Sequence, residues 1–229
     1  EVKVKRRLRV AFFATGDELA SIGDKLKAGE VYDSNRYTLH GMLSRLGVVR
    51  DDPKALEAAL HKAAKADAII TTGGVSVGEA DFIRELMAKL GEVLFWKIAM
   101  RPGRPMAFGR IGNAFLFGLP GNPVAVMVTF YEFVRDALLY LSGRTDDFAI
   151  PLLRVISSEK IRKVPGRTEY QRGILYQEQN EWRVRTTGQQ GSGVLRSMAE
   201  ANCFIVLEHE RGAVTAGEQV AVQLMEAIA

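Results

Sequence analysis

Residues 67–81, Asp-Ala-Ile-Ile-Thr-Thr-Gly-Gly-Val-Ser-Val-Gly-Glu-Ala-Asp, constrain the fold of this chain more than any other stretch. Ala68 to Thr72 is an apolar, β-branched run of the kind that fills a buried strand. It stops at Gly73-Gly74, where a backbone without Cβ atoms can turn sharply and approach a ligand. Gly78 follows, and Glu79 and Asp81 then open a segment that carries Phe82, Ile83, Leu86, Met87 and Leu90 on one helical face. A buried strand, a glycine-rich turn and a helix start together present backbone N–H groups to a phosphate or another anion at the carboxyl edge of a parallel sheet. A tight strand-to-helix turn with no ligand remains open for Gly73-Gly74 taken alone.

The remaining chain divides into two kinds of pattern. Leu8 to Ala14 reads as an opening strand, with Thr15-Gly16-Asp17-Glu18-Leu19 as the turn at its carboxyl end. Asp33 or Ser34 can cap a helix near Asn35 to Leu46 that places Leu39, Met42, Leu43 and Leu46 on one stripe and stops at Gly47. Val48-Val49-Arg50 is short for a parallel strand, and Asp51-Asp52-Pro53 starts another helix that runs to Ala66. Val93 to Ala99 is a strand, and Arg101-Pro102-Gly103-Arg104-Pro105 is expected to be a stiff loop, because proline cannot donate to a ladder. Met106–Gly109 and Ala114–Phe117 bracket Ile111-Gly112-Asn113 as a hairpin, and Leu119-Pro120-Gly121-Asn122-Pro123 leads into an apolar helix reaching about Leu141. Beyond Ser142-Gly143 helices give way to short strands: Leu152–Ile156, Tyr170–Tyr176, Trp182–Thr186, Cys203–Leu207 and Gln219–Leu224. The expected architecture is therefore α/β, a three-layer, mostly parallel sheet over residues 1–147, followed by a small all-β, barrel-like domain over residues 148–229.

Composition narrows the function classes. Hydrophobic residues make up 47% and charged residues 25% of the 229, enough apolar material for a real core. A net charge of +4, scattered apart from the Lys3-to-Arg9 run, fits small anionic ligands as much as nucleic acid, and nucleic acid is not the expected partner. The single cysteine, Cys203, excludes an internal disulfide and any multi-cysteine metal site, and fits a reducing, cytoplasmic setting. Its flank reads as a buried strand, hence an inert core thiol. No stretch approaches the roughly 20 apolar residues that a membrane span needs.

Three loops at strand ends gather Asp17 and Glu18, Asp51 and Asp52, and Glu79 and Asp81 beside the two anion-friendly turns. Carboxylates repel phosphate, so this mixture makes sense where a hard cation such as Mg²⁺ bridges them. Any one of them, Asp52 and Asp81 especially, can equally serve as a helix cap.

Thr15–Leu19, Tyr32-Asp33-Ser34-Asn35, Arg50–Pro53, Thr71–Asp81, Arg101–Pro105 and Leu119–Pro123, in this order, resemble the molybdopterin molybdenumtransferase family, MoeA in bacteria and the gephyrin E domain in animals. The resemblance covers the whole chain. It implies insertion of molybdate into adenylylated molybdopterin with Mg²⁺-assisted release of AMP, by a homodimer whose members carry two further domains ahead of the region matched here. Glu18, Asp51 and Asp81 match the family's acidic active-site positions, with Asp51 and Asp81 as the metal ligands. Thr15, Gly16, Asp17, Gly73, Gly74, Ser76 and Gly78 match its nucleotide–pterin turns, and Pro120, Gly121, Asn122 and Pro123 its proline loop. Arg101 and Arg104 stand where relatives usually hold molybdate with lysine, and exchange a point charge for a planar fork. Arg167 and Ser192 match the β domain's share of the site. Rival readings are the molybdopterin adenylyltransferase of the preceding step, which is similar to residues 1–147 alone, and a non-catalytic molybdopterin-binding or scaffold protein. The β tail and the Val75–Glu79 loop argue against the first.

Overall fold

The computed structural model describes residues 4–16, 18–45, 65–73, 91–145 and 149–225. It separates into two compact units, one made of Glu1–Ile98 with Pro105–Phe148, the other of Ala99–Arg104 with Ala149–Ala229.

The first unit is built on a five-stranded sheet in the order β1 (Val10–Ala14), β4 (Ala68–Thr72), β8 (Ala114–Leu119), β7 (Pro105–Ile111), β5 (Gly91–Lys97). β1, β4 and β8 run parallel, with Val10 opposite Ala68 and Ala68 opposite Phe115. β7 and β5 are antiparallel additions at one side. Every residue of β4 is buried, as expected of a strand covered on both faces. The β7–β8 hairpin turns through Gly112-Asn113, where Gly112 at φ +58° supplies the positive angle at the first central position. The excursion after β1 folds into a two-stranded parallel pair, β2 (Leu19–Ala20) and β3 (Val31–Tyr32).

Helix α1 spans Asn35–Arg45, capped by Asp33, whose Oδ1 accepts the Arg36 N–H at 3.2 Å. Leu39, Met42 and Leu43 are its buried stripe. The apolar run after the proline loop is helical from Pro123 to Ser142, though not uniformly so. α2 (Pro123–Thr129) widens into a π-helical turn, Phe130–Val134, before α3 (Arg135–Ser142). The Thr129 hydroxyl donates to Ala125 O at 2.7 Å just ahead of the wide turn, a side-chain competitor for the i→i−4 ladder. Gly143, at φ 97°, ends the run.

The second unit is a closed barrel. Strands β9 (Leu152–Ser157), β13 (Gln219–Leu224), β12 (Cys203–Leu207), β10 (Thr168–Glu178) and β11 (Glu181–Thr186) pair in a ring. β11 closes it by pairing antiparallel with β10 and parallel with β9. The β10–β11 turn places Gln179 and Asn180 at φ 47° and 66°, the two positive angles that a tight two-residue hairpin requires. Inside pack Val155, Leu175, Val184, Cys203, Ile205 and Val220.

Two expectations are corrected here. Arg101 is not loop but joins Met100 in a two-residue strand, β6, parallel to β10, because both residues keep their N–H groups and only Pro102 ends the pairing. Pro105 then starts β7, a position where a missing donor is tolerated. The barrel also carries a helix, α4 (Arg196–Glu200), too short to display helical periodicity in sequence. Among the described residues no helix is long and apolar enough to cross a membrane.

Candidate functional site

The carboxyl ends of β1, β4 and β8 converge on one cleft of about 330 Å³ in the first unit. Thr15 leaves β1 with its N–H bonded to Thr72 O at 2.8 Å and its hydroxyl donating to the same carbonyl at 3.2 Å. Gly73 leaves β4 at φ +84° with its N–H on Leu119 O at 3.1 Å. Gly73, Pro120, Gly121, Asn122 and Pro123 line the cleft together with Glu18, Asp33 and Asn35. Gly16 lies against the Glu18 carboxylate so closely that an added Cβ would sit 2.5 Å from Oε2. Pro123 opens α2 behind Asn122, whose extended backbone (ψ 127°) makes it the helix N-cap.

Of the residues expected at this site, Glu18, Gly73, Pro120, Gly121, Asn122 and Pro123 are brought together, with Thr15 and Gly16 at its edge. Asp17, Asp51, Gly74, Ser76, Gly78 and Asp81 lie outside the described residues, as do Asp52, Glu79 and the Val48–Arg50 segment. Among the described residues no three metal-capable side chains converge. The cleft's described carboxylates are Glu18 and Asp33, and Asp33 is occupied in capping α1.

Arg101 is part of the second unit. It lines a cleft of about 510 Å³ in the second unit, together with Lys160, Arg162, Arg172, Glu159 and Glu169. Arg104 and Arg167 are exposed, and Ser192 is half-buried in the turn before α4. Glu159 is committed to Thr186, accepting from its N–H at 2.8 Å and its hydroxyl at 2.6 Å. Glu169 accepts from Gln171 Nε2 at 3.0 Å and faces Arg101 Nη1 at 3.8 Å.

Arg172, on β10, is 1% exposed. Its guanidinium donates to Ser197 Oγ at 3.0 Å, Gly191 O at 3.0 Å and Gln189 O at 3.3 Å, all neutral acceptors. Among the described residues no carboxylate pairs with it, and burial, then the neighbouring Arg101, push its pKa down to about 10. A buried cation held by carbonyls and a hydroxyl, with a second guanidinium nearby, is an arrangement that a tetrahedral oxyanion would neutralise. Sequence reasoning passed over Arg172. The signal was there: an arginine between Gln171 and Gly173 in a run otherwise read as core strand.

The family model described as a probable molybdopterin binding domain matches residues 11–140, and that of the MoeA C-terminal region (domain IV) matches residues 154–225. The chain belongs to the MoeA/gephyrin family of molybdopterin molybdenumtransferases. Within that family, it is 44% identical to the molybdopterin molybdenumtransferase of Haemophilus influenzae, over 97% of this chain and 57% of that protein. It is 31% identical to gephyrin of Dictyostelium discoideum, over 92% of this chain and 35% of that protein. The crystal structure of a molybdopterin biosynthesis MoeA protein from Pyrococcus horikosii superposes with a TM-score of 0.77 at 28% identity, covering 96% of this chain and 55% of that one. The chain thus spans about half the length of the MoeA relatives it matches.

Proposed function

We propose that this chain performs the molybdate-inserting step of molybdenum cofactor synthesis, in which adenylylated molybdopterin takes up molybdate and releases AMP. The observation that carries this reading is Arg172, a buried guanidinium that among the described residues bonds only neutral acceptors, beside Arg101. In this reading molybdate binds Arg101 and Arg172, and Arg172 takes the role that the resemblance suggests for Arg104. The phosphates of adenylylated molybdopterin bind in the cleft at the Gly73 turn, where β4 ends on a positive-φ glycine that brings the chain close to Thr15 and the proline loop. Arg104, Arg167 and Ser192 remain candidates for secondary contacts.

Mg²⁺ enters this reading through Asp51 and Asp81, on family resemblance. Glu18 and Asp33 by themselves do not make a metal site, because one of the two is spent as a cap. When bound, the ion would offset phosphate charge during loss of AMP. A homodimer and a cytoplasmic location belong to the same proposal. The barrel tail speaks against the adenylyltransferase reading, since the MoeA domain IV match lies entirely within it.

The test is AMP release and cofactor formation, with purified protein, adenylylated molybdopterin, molybdate and Mg²⁺. Arg101→Ala should raise the molybdate concentration for half-maximal rate about tenfold or more while leaving nucleotide–pterin affinity unchanged. Chelation should stop AMP release without abolishing substrate binding, and sedimentation should report a dimer. Unchanged molybdate dependence in an Arg101→Ala, Arg172→Met double variant would refute the oxyanion assignment.

A further inference from the structure

Asn35 stands in the first turn of α1, 5% exposed, and its Nδ2 donates to the carbonyl of Gly121 at 2.7 Å. The carbonyl requires a donor, which sets the amide's orientation, and Oδ1 then has no hydrogen-bond partner among the described residues. An amide buried with part of its bonding capacity unused works against stability, so folding alone does not account for an asparagine here. What the bond does is local. Gly121 sits between Pro120 and Asn122-Pro123, and it is the residue of that loop with the freest backbone. Its other neighbour is Gly73: a Cβ built on Gly121 would lie 3.5 Å from Gly73 Cα. Gly73 in turn bonds Leu119 O at 3.1 Å, the residue just ahead of the loop.

We propose that Asn35 is a positioning residue for the anion-binding turn. Its amide holds the Gly121 carbonyl toward α1 and so keeps the proline loop seated against Gly73, without itself touching the ligand. The inference rests on the reading above that adenylylated molybdopterin binds at the Gly73 turn, and it adds the element that keeps the turn in shape.

The experiment is calorimetric binding of adenylylated molybdopterin to the full chain, well below the lowest unfolding midpoint, for wild type, Asn35→Ala and Asn35→Asp. Asn35→Ala should weaken binding about tenfold while its circular dichroism and its molybdate affinity stay as in wild type. Asn35→Asp adds a readout that a purely structural role would not move. Near neutral pH its carboxylate opposes Gly121 O without a donor and binding is weak; on acidification the protonated carboxyl can donate, and the deficit shrinks. The wild-type curve over the same range is the reference that accounts for the cleft's other carboxylates, Glu18 and Asp33. Wild-type affinity in folded Asn35→Ala, or a pH-independent deficit in Asn35→Asp, overturns the inference alone. A wild type that does not bind the nucleotide–pterin removes the underlying reading as well. If Asn35→Ala does not fold, Asn35→Asp at two pH values carries the comparison.

Discussion

Gly73 rests on the main-chain carbonyl of Thr15, so that a Cβ added at Gly73 would overlap Thr15 O and come within 3.0 Å of Thr15 Oγ1. The contact joins the ends of β1 and β4, already tied by the Thr15 N–H to Thr72 O bond at 2.8 Å. Neither partner can give way cheaply, because the clash is with backbone and Gly73 holds φ at +84°.

Gly73→Ala should therefore cost on the order of 2–4 kcal/mol, the left-handed conformation and the displaced backbone adding together. Urea unfolding measures it. Gly121→Ala is the control, since its Cβ would make an ordinary 3.5 Å contact at most. Similar losses in both variants would show that glycine content, not the Thr15 contact, sets the turn.

Arg172→Met should separate stability from binding. It keeps bulk but removes the donors to Ser197, Gln189 and Gly191, at a cost of about 1–3 kcal/mol. Molybdate affinity, read by calorimetry on the folded variant, should drop about tenfold or more. Arg172→Lys restores the charge without the fork and should recover only part of the affinity.

Cys203 lies wholly buried in the barrel, and burial pushes its thiol up from near 9 to about 12. Between those values the unfolded chain has lost the proton and the folded one keeps it, so the folded state binds more protons and stability must fall as pH rises. The expected slope approaches about 1.4 kcal/mol per pH unit between pH 9 and 12, and it should be missing in Cys203→Ala, so that the difference between wild type and variant carries it. Thiol reagents should label Cys203 only as fast as the barrel opens.

Asp67 tethers the segment ahead of β1. Its carboxylate takes both arms of the Arg6 fork, at 2.6 and 2.7 Å, and the Arg9 N–H at 2.7 Å. The Arg6 hydrogen bonds, chiefly, hold its pKa below the usual carboxylate range against the opposing effect of burial. Its contribution is thus present above the unfolded value near 4 and is lost as pH falls through the lower folded value. Asp67→Asn should abolish that acid dependence and speed hydrogen exchange of residues 4–9, at less than about 1 kcal/mol of global stability.

Local sequence determined the elements whose signal is local. Ala68–Thr72 had to be a covered strand because five consecutive apolar or β-branched residues leave no polar face, and Gly73 had to end it because β4 leaves there in a conformation that resists any Cβ. The five barrel strands were legible from their spacing, and Glu18 and the Pro120–Pro123 loop from motif order. The tertiary structure alone decided which strands meet. Backbone hydrogen bonds are chemically the same for any partner, so nothing in residues 99–104 announces that β6 pairs with β10, or that β11 closes a ring by bonding both β9 and β10. The same holds for charge. The guanidinium of Arg172 is written in the sequence, but its burial among neutral acceptors beside Arg101 exists only after distant segments pack around it, and the desolvation that lowers its pKa comes from that packing.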